Sequence, residues 1–141
     1  MVVLTMAFGV TMHLWQFSII DEMYVADDIA AHIQAMTETQ KTVHAWMTGT
    51  LDVAYPFAYG AFFIGIAMRY FGRFGIFLAM PSLLCIPVDL IEGLAQIMLL
   101  TGHEDWMNVK ILVTPIKLFL YIPGAFITLI GLGLALKKRF Y

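Results

Sequence analysis

Asp89 and Glu92 stand in the apolar run LCIPVDLIEGLAQIM. An ionised carboxylate at the centre of a membrane helix costs at least about 2.5–3.5 kcal/mol, so something must compensate for both. Their i, i+3 spacing puts them on one helical face, and Gln96, four residues beyond Glu92, extends the same polar stripe. Two carboxylates in a dry setting can trade a proton as general acid and base, hold a cation, or lock an ammonium group in place.

The partner for such a lock is Lys117. At 1.5 Å of rise per residue, Glu92 lies about 13 Å, Asp89 about 18 Å and Lys117 about 12 Å below the outer boundary of the spans that carry them. Consecutive antiparallel spans are usually neighbours, so a Lys117 pair with Glu92 or Asp89 is the cheapest way to bury all three. Other polar groups fall at similar depth: His13 and Gln16 near the N-terminus, Tyr59 below Leu51, and Tyr121 deeper still, with Asp52 and Tyr55 at the mouth. They outline a buried polar pocket with Asp89, Glu92, Lys117, His13, Gln16, Tyr59, Gln96, Asp52 and Tyr121 as candidate ligand- or proton-binding residues.

No catalytic residue can be named. No His-x-x-x-His, Cys-x-x-Cys or Glu-x-x-His occurs, so nothing specifies a metal site. His13 could in principle ligate a haem or a pigment magnesium, but low-spin haem wants a second axial group, and His32, His44 and His103 all fall in polar segments. A hydrogen-bonded histidine is the simpler reading, and no cofactor is implied. Cys85 is the one cysteine and cannot form an internal disulfide.

The elements that must position these groups are membrane helices. The 141 residues are 61% hydrophobic and 13% charged, with a mean hydropathy of +0.83, against about 45–50% and about 25% for soluble domains. A water-soluble monomer is excluded. The net charge of −2 and the lack of a basic cluster interleaved with aromatics exclude a nucleic-acid surface.

Runs long enough to cross the bilayer fall at about 1–20, 51–70, 74–101 and 109–136. Between the first two, residues 21–49 carry Asp21, Glu22, Asp27, Asp28, Glu38 and Lys41 around an apolar stripe of Ile29, Ile33, Met36, Val43 and Met47. That pattern predicts an amphipathic segment on the membrane surface, with a solvated helical hairpin as the alternative. The expectation is an all-α integral membrane four-helix bundle forming a single transmembrane domain over 1–141. Arg69, Arg73, Lys137, Lys138 and Arg139 group on one side. The other holds Lys41 and Lys110 among acidic residues, which predicts cytoplasmic N- and C-termini with the acidic loops opposite.

The segments DVAYPFAYGAFF (52–63) and PVDLIEGLAQIMLL (87–100) resemble a pattern in uncharacterised small four-span membrane proteins, in which an aspartate and a proline open the second span and an Asp-x-x-Glu pair lies in the third. The resemblance covers those two spans and implies a four-span fold with weight on Asp52, Asp89 and Glu92. It implies no activity. Where the pattern often continues with asparagine, this chain has Gly93.

Small size and little extramembrane mass favour an accessory or assembly subunit of a larger membrane complex, in contact with the lipid bilayer and with other membrane subunits or a second copy. The alternative is a protein that handles a small molecule, lipid, ion or proton through the polar pocket. An enzyme acting on an apolar substrate ranks third.

Overall fold

The computed structural model describes residues 2–20 and 23–140, and Asp21 and Glu22 lie outside them. Six α-helices are present among the described residues: α1 (Val2–Trp15), α2 (Ala26–Ala35), α3 (Glu38–Met47), α4 (Val53–Tyr70), α5 (Gly75–Leu100) and α6 (Met107–Phe140). A π-helical turn, Thr48–Asp52, joins α3 to α4, and single 3-10 turns, Gly72–Phe74 and Glu104–Trp106, lead into α5 and α6. Among the described residues, three stretches are long and apolar enough to cross a membrane: Glu38–Tyr70, Gly72–Leu100 and Glu104–Lys137.

The expected four-helix bundle is therefore corrected to three spans. The segment 1–20 does not run as one helix. Its helix stops at Trp15 after 14 residues, about 21 Å, too short for a hydrocarbon core of about 30 Å. The cause is a helix stop written in polar contacts rather than in glycine or proline. Gln16 adopts φ +51°, and the Phe17 amide reaches back to the Met12 carbonyl at 3.4 Å, the six-to-one bond of a Schellman motif. The Gln40 side chain then donates to the Trp15 and Gln16 carbonyls at 3.1 and 3.2 Å, and the His32 ring contacts the Ser18 carbonyl at 3.0 Å. Phe17 and Ile20, counted above as the end of a span, are buried with Ile29, Met36, Met47, Leu99 and Leu100 in a cluster that packs α2 and α3 over the end of α5.

The amphipathic segment also divides differently. Thr37 caps α3 through a reciprocal bond with Gln40, a capping box. From there the chain runs without a break through the π turn into α4, so Glu38–Gly49 heads a spanning helix instead of ending before one.

α5 packs along both α6 and α4, and α4 also meets α6. Pro56, Pro81, Pro87, Pro115 and Pro123 all lie within helices. Outward faces are apolar, with Phe77, Phe119, Ile122 and Phe126 exposed, as lipid contact requires. Small residues let the helices close up on the side away from α1. A Cβ on Gly75 would come within 2.6 Å of the Ala67 carbonyl oxygen and 2.9 Å of Met68 Cα, whereas one on Gly65 would meet nothing within 4 Å. Gly75→Ala is accordingly expected to lower stability by about 1–3 kcal/mol, the usual cost of overpacking, while Gly65→Ala leaves it unchanged or slightly raised. Thermal unfolding in detergent checks both; equal midpoints for the two variants would contradict this close approach.

Candidate functional site

The centre of the bundle is held by two facing polar stripes. On α5, Cys85, Asp89, Glu92 and Gln96 follow each other at helical spacing, and all four are buried. On α6, Lys110, Thr114, Lys117 and Tyr121 fall at i, i+4, i+7 and i+11 on one face, the first two buried and the last two half-buried. Antiparallel packing brings the stripes together in register.

Glu92 sits between both lysines. One carboxylate oxygen, Oε1, accepts from the Lys110 ammonium and from the Thr114 hydroxyl, and the other, Oε2, pairs with Lys117. The Lys110 ammonium also donates to Thr114 Oγ1 at 2.9 Å. Lys117 reaches Asp89 Oδ1 at 3.1 Å, and Asp89 Oδ2 accepts from the Tyr59 hydroxyl at 2.9 Å. The Tyr59 hydroxyl lies 3.2 Å from Cys85 Sγ, and that thiol lies 3.6 Å from the Lys117 carbonyl. Glu92 and Lys110 are wholly buried, Asp89 is 7% exposed, and the Lys117 side chain is 17% exposed. Two carboxylates and two ammoniums make a formally neutral quartet. Neutrality and dense hydrogen bonding are what make burial of four charges tolerable.

Lys117, expected to pair with Glu92 or Asp89, contacts both. Sequence reasoning missed Lys110, which was counted with the charges of the outer side because it is only the second residue of a span taken to begin at Val109. The helix begins with the turn at Glu104, so Lys110 is already inside. The signal was available: Lys110, Thr114 and Lys117 share one face of a helix.

The remaining candidates divide. Tyr59, Tyr121 and Asp52 line a cavity of about 440 Å³ whose polar wall is completed by Asp89 and Lys117. Gln96 is fully buried one turn beyond Glu92. His13 and Gln16, in contrast, are exposed and line none of this cavity; α1 covers it with its other face, through Thr5, Phe8 and Met12. His44, assigned above to a polar segment, is fully buried beside the Phe17 ring, with centroids 5.0 Å apart.

Aromatic contacts build the cavity's inner surface. Tyr59 meets Tyr55 at 5.9 Å and Tyr121 at 5.1 Å between ring centroids, both edge-on, and Tyr55 meets Phe8 of α1 at 6.0 Å. Asp52 ends the π turn, a helix irregularity concentrated at functional sites. Gly93 lies beneath it: a Cβ there would meet Thr48 Cγ2 at 3.5 Å and Asp52 Oδ2 at 3.6 Å. Among the described residues no group of three or more His, Cys, Asp or Glu side chains is placed to hold a metal ion.

No protein-family model, curated protein or solved structure matches the chain. Together with the three-span count, this overturns the resemblance to small four-span proteins. The accessory-subunit reading is corrected as well. It rested on small size and little extramembrane mass, and the Asp89–Glu92–Lys110–Lys117 network beside a cavity fits a polar-handling role better.

Glu92 bonds both lysines, and Lys110 is wholly buried, so the loss of Glu92 strands an ammonium in a dry interior. Glu92→Gln is expected to cost about 3–5 kcal/mol, and adding Lys110→Met to it should restore most of that loss. Thermal melts and gel filtration of the single and double variants check the pair; a Glu92→Gln protein as stable as the wild type would contradict the assignment.

Proposed function

We propose that this integral membrane protein binds a small lipid-soluble molecule in the cavity between α1 and the three spans, with Asp89 and Lys117 contacting the polar part of that molecule. One observation carries the reading: the cavity of about 440 Å³ falls in the size range of small-molecule sites, about 300–1,000 Å³, and its polar wall belongs to the buried ion-pair network. The rest of the lining is apolar, with Phe8, Met12, Ile19 and Leu118. A few convergent polar groups in an apolar pocket give a ligand its orientation, while the apolar walls supply affinity.

A second reading, proton or ion handling, is favoured by the unbroken chain of groups from Tyr59 through Asp89, Lys117 and Glu92 to Lys110. Intramembrane relays use such chains. Its mark would be wild-type proton uptake in proteoliposomes that Asp89→Asn abolishes.

Orientation follows from the cations. Arg69 and Arg73 flank the α4–α5 link, and Lys137 lies near the end of α6 on that same side. The positive-inside rule makes that side cytoplasmic. With three crossings, an odd number, the segment before Glu38 lies on the opposite face. The expected common side for both termini depended on the fourth span.

Mass spectrometry of molecules that copurify in mild detergent tests the binding reading. The wild-type protein is expected to retain a small apolar compound, and Leu118→Trp, which fills the cavity from its apolar side, should retain at least about tenfold less, a loss of about 1.4 kcal/mol in affinity, while staying monodisperse. The same retained compound at the same level in both proteins would contradict the proposal.

A further inference from the structure

Charges of both signs line the cavity. Asp52 and Asp89 bring carboxylates to its wall and Lys117 an ammonium, with Lys117 Nζ 3.1 Å from Asp89 Oδ1. A ligand head carrying a positive charge would enter beside that ammonium, and one carrying a negative charge beside the carboxylates. Like charges repel strongly where water is scarce. A neutral head meets neither cost.

The hydrogen-bonding groups of the wall narrow the choice. The Asp89 carboxylate accepts from Tyr59 through Oδ2 and pairs with Lys117 through Oδ1, whereas its two oxygens offer about four acceptor sites. A carboxylate only accepts, so a ligand group that bonds it has to donate. Tyr55 and Tyr121 bring phenol hydroxyls to the same wall. Both side chains are half-buried and their rings flank Tyr59 edge-on, yet neither hydroxyl has a hydrogen bond among the described residues. Tyr121 is the nearer, with its centroid 5.1 Å from that of Tyr59, the ring bonded to Asp89, against 5.9 Å for Tyr55. An alcohol hydroxyl serves both sides at once, because it donates one hydrogen and accepts through two lone pairs.

Building on the binding reading above, we infer that the ligand is a neutral aliphatic alcohol, its hydroxyl donating to Asp89 and accepting from Tyr121 and its hydrocarbon part lying against Phe8, Met12 and Ile19. The volume sets its size. At about 30 Å³ for a water-sized group, the cavity holds on the order of 15 non-hydrogen atoms.

Four probes of similar length test this: 1-dodecanol, its isomer methyl undecyl ether, which accepts but cannot donate, dodecanoate and dodecyltrimethylammonium. The full chain in nanodiscs is equilibrated with each probe over a series of mole fractions in the lipid, in mildly alkaline buffer, and native mass spectrometry counts the probe bound per protein. The alcohol is expected to reach half occupancy at a mole fraction at least about tenfold below that of every other probe. Tyr121→Phe, which keeps the ring and removes only the hydroxyl, should raise the value for the alcohol at least about threefold. Any other probe within tenfold of the alcohol, or a smaller change than threefold in Tyr121→Phe, would overturn the alcohol assignment and leave the cavity as a binding site. No probe bound by the wild type would overturn the binding reading with it. The wild-type comparison decides the matter even if Tyr121→Phe does not fold.

Discussion

Charge cannot be left unpaired where water is absent, and the arrangement of this protein follows from that requirement. Four ionisable side chains lie in the interior between α5 and α6. Each would cost several kcal/mol alone, a large fraction of the stability of a small protein. Together they form a neutral quartet with hydrogen bonds to spare for Thr114 and Tyr59. The register of α5 against α6 is thereby tied to electrostatics, because a shift of one turn in either direction would carry one of the two lysines out of reach of Glu92. Hydrophobic burial offers no such discrimination inside a bilayer, where lipid tails are as apolar as leucine.

Two regions of different character meet at this quartet. Toward the α4–α5 link, the helices close tightly, with Gly75 against the α4 backbone and Gly60 so near Ile86 that a Cβ would lie 2.6 Å from its Cδ1 atom. On the α1 side, the spans part and the short helix covers a cavity instead of a packed seam. α1 is fastened at its C-terminal end by the turn at Gln16 and the Gln40 bonds.

Much of this was legible in the residues. Asp89, Glu92 and Lys117 stood out because charged side chains in apolar runs demand partners, and counting residues along the helix placed them at matching depths. Lys110 escaped because depth was counted from an assumed helix start, and a cation near a helix end reads equally well as a loop residue. The missing fourth span has a similar origin. Residues 1–20 carry enough hydrocarbon to cross a membrane, and what stops the helix is Gln16 in a left-handed conformation held by Gln40, 24 residues on. No local glycine or proline announces that stop. His13 and Gln16 were assigned to the pocket by depth alone, yet a helix has a circumference as well as a length, and α1 turns its Thr5–Phe8–Met12 face inward.

Lys110 and Lys117 are enclosed ion-pair partners and not cations reaching for the membrane surface. Amine labelling of the folded protein in detergent, followed by mass spectrometry of each lysine, tests this directly. Lys41, paired with the exposed Glu38, and Lys137, exposed near the end of α6, should be modified rapidly. Lys110 and Lys117 should stay protected until the protein is unfolded. Modification of Lys110 in the folded protein at a rate matching Lys137 would contradict the account.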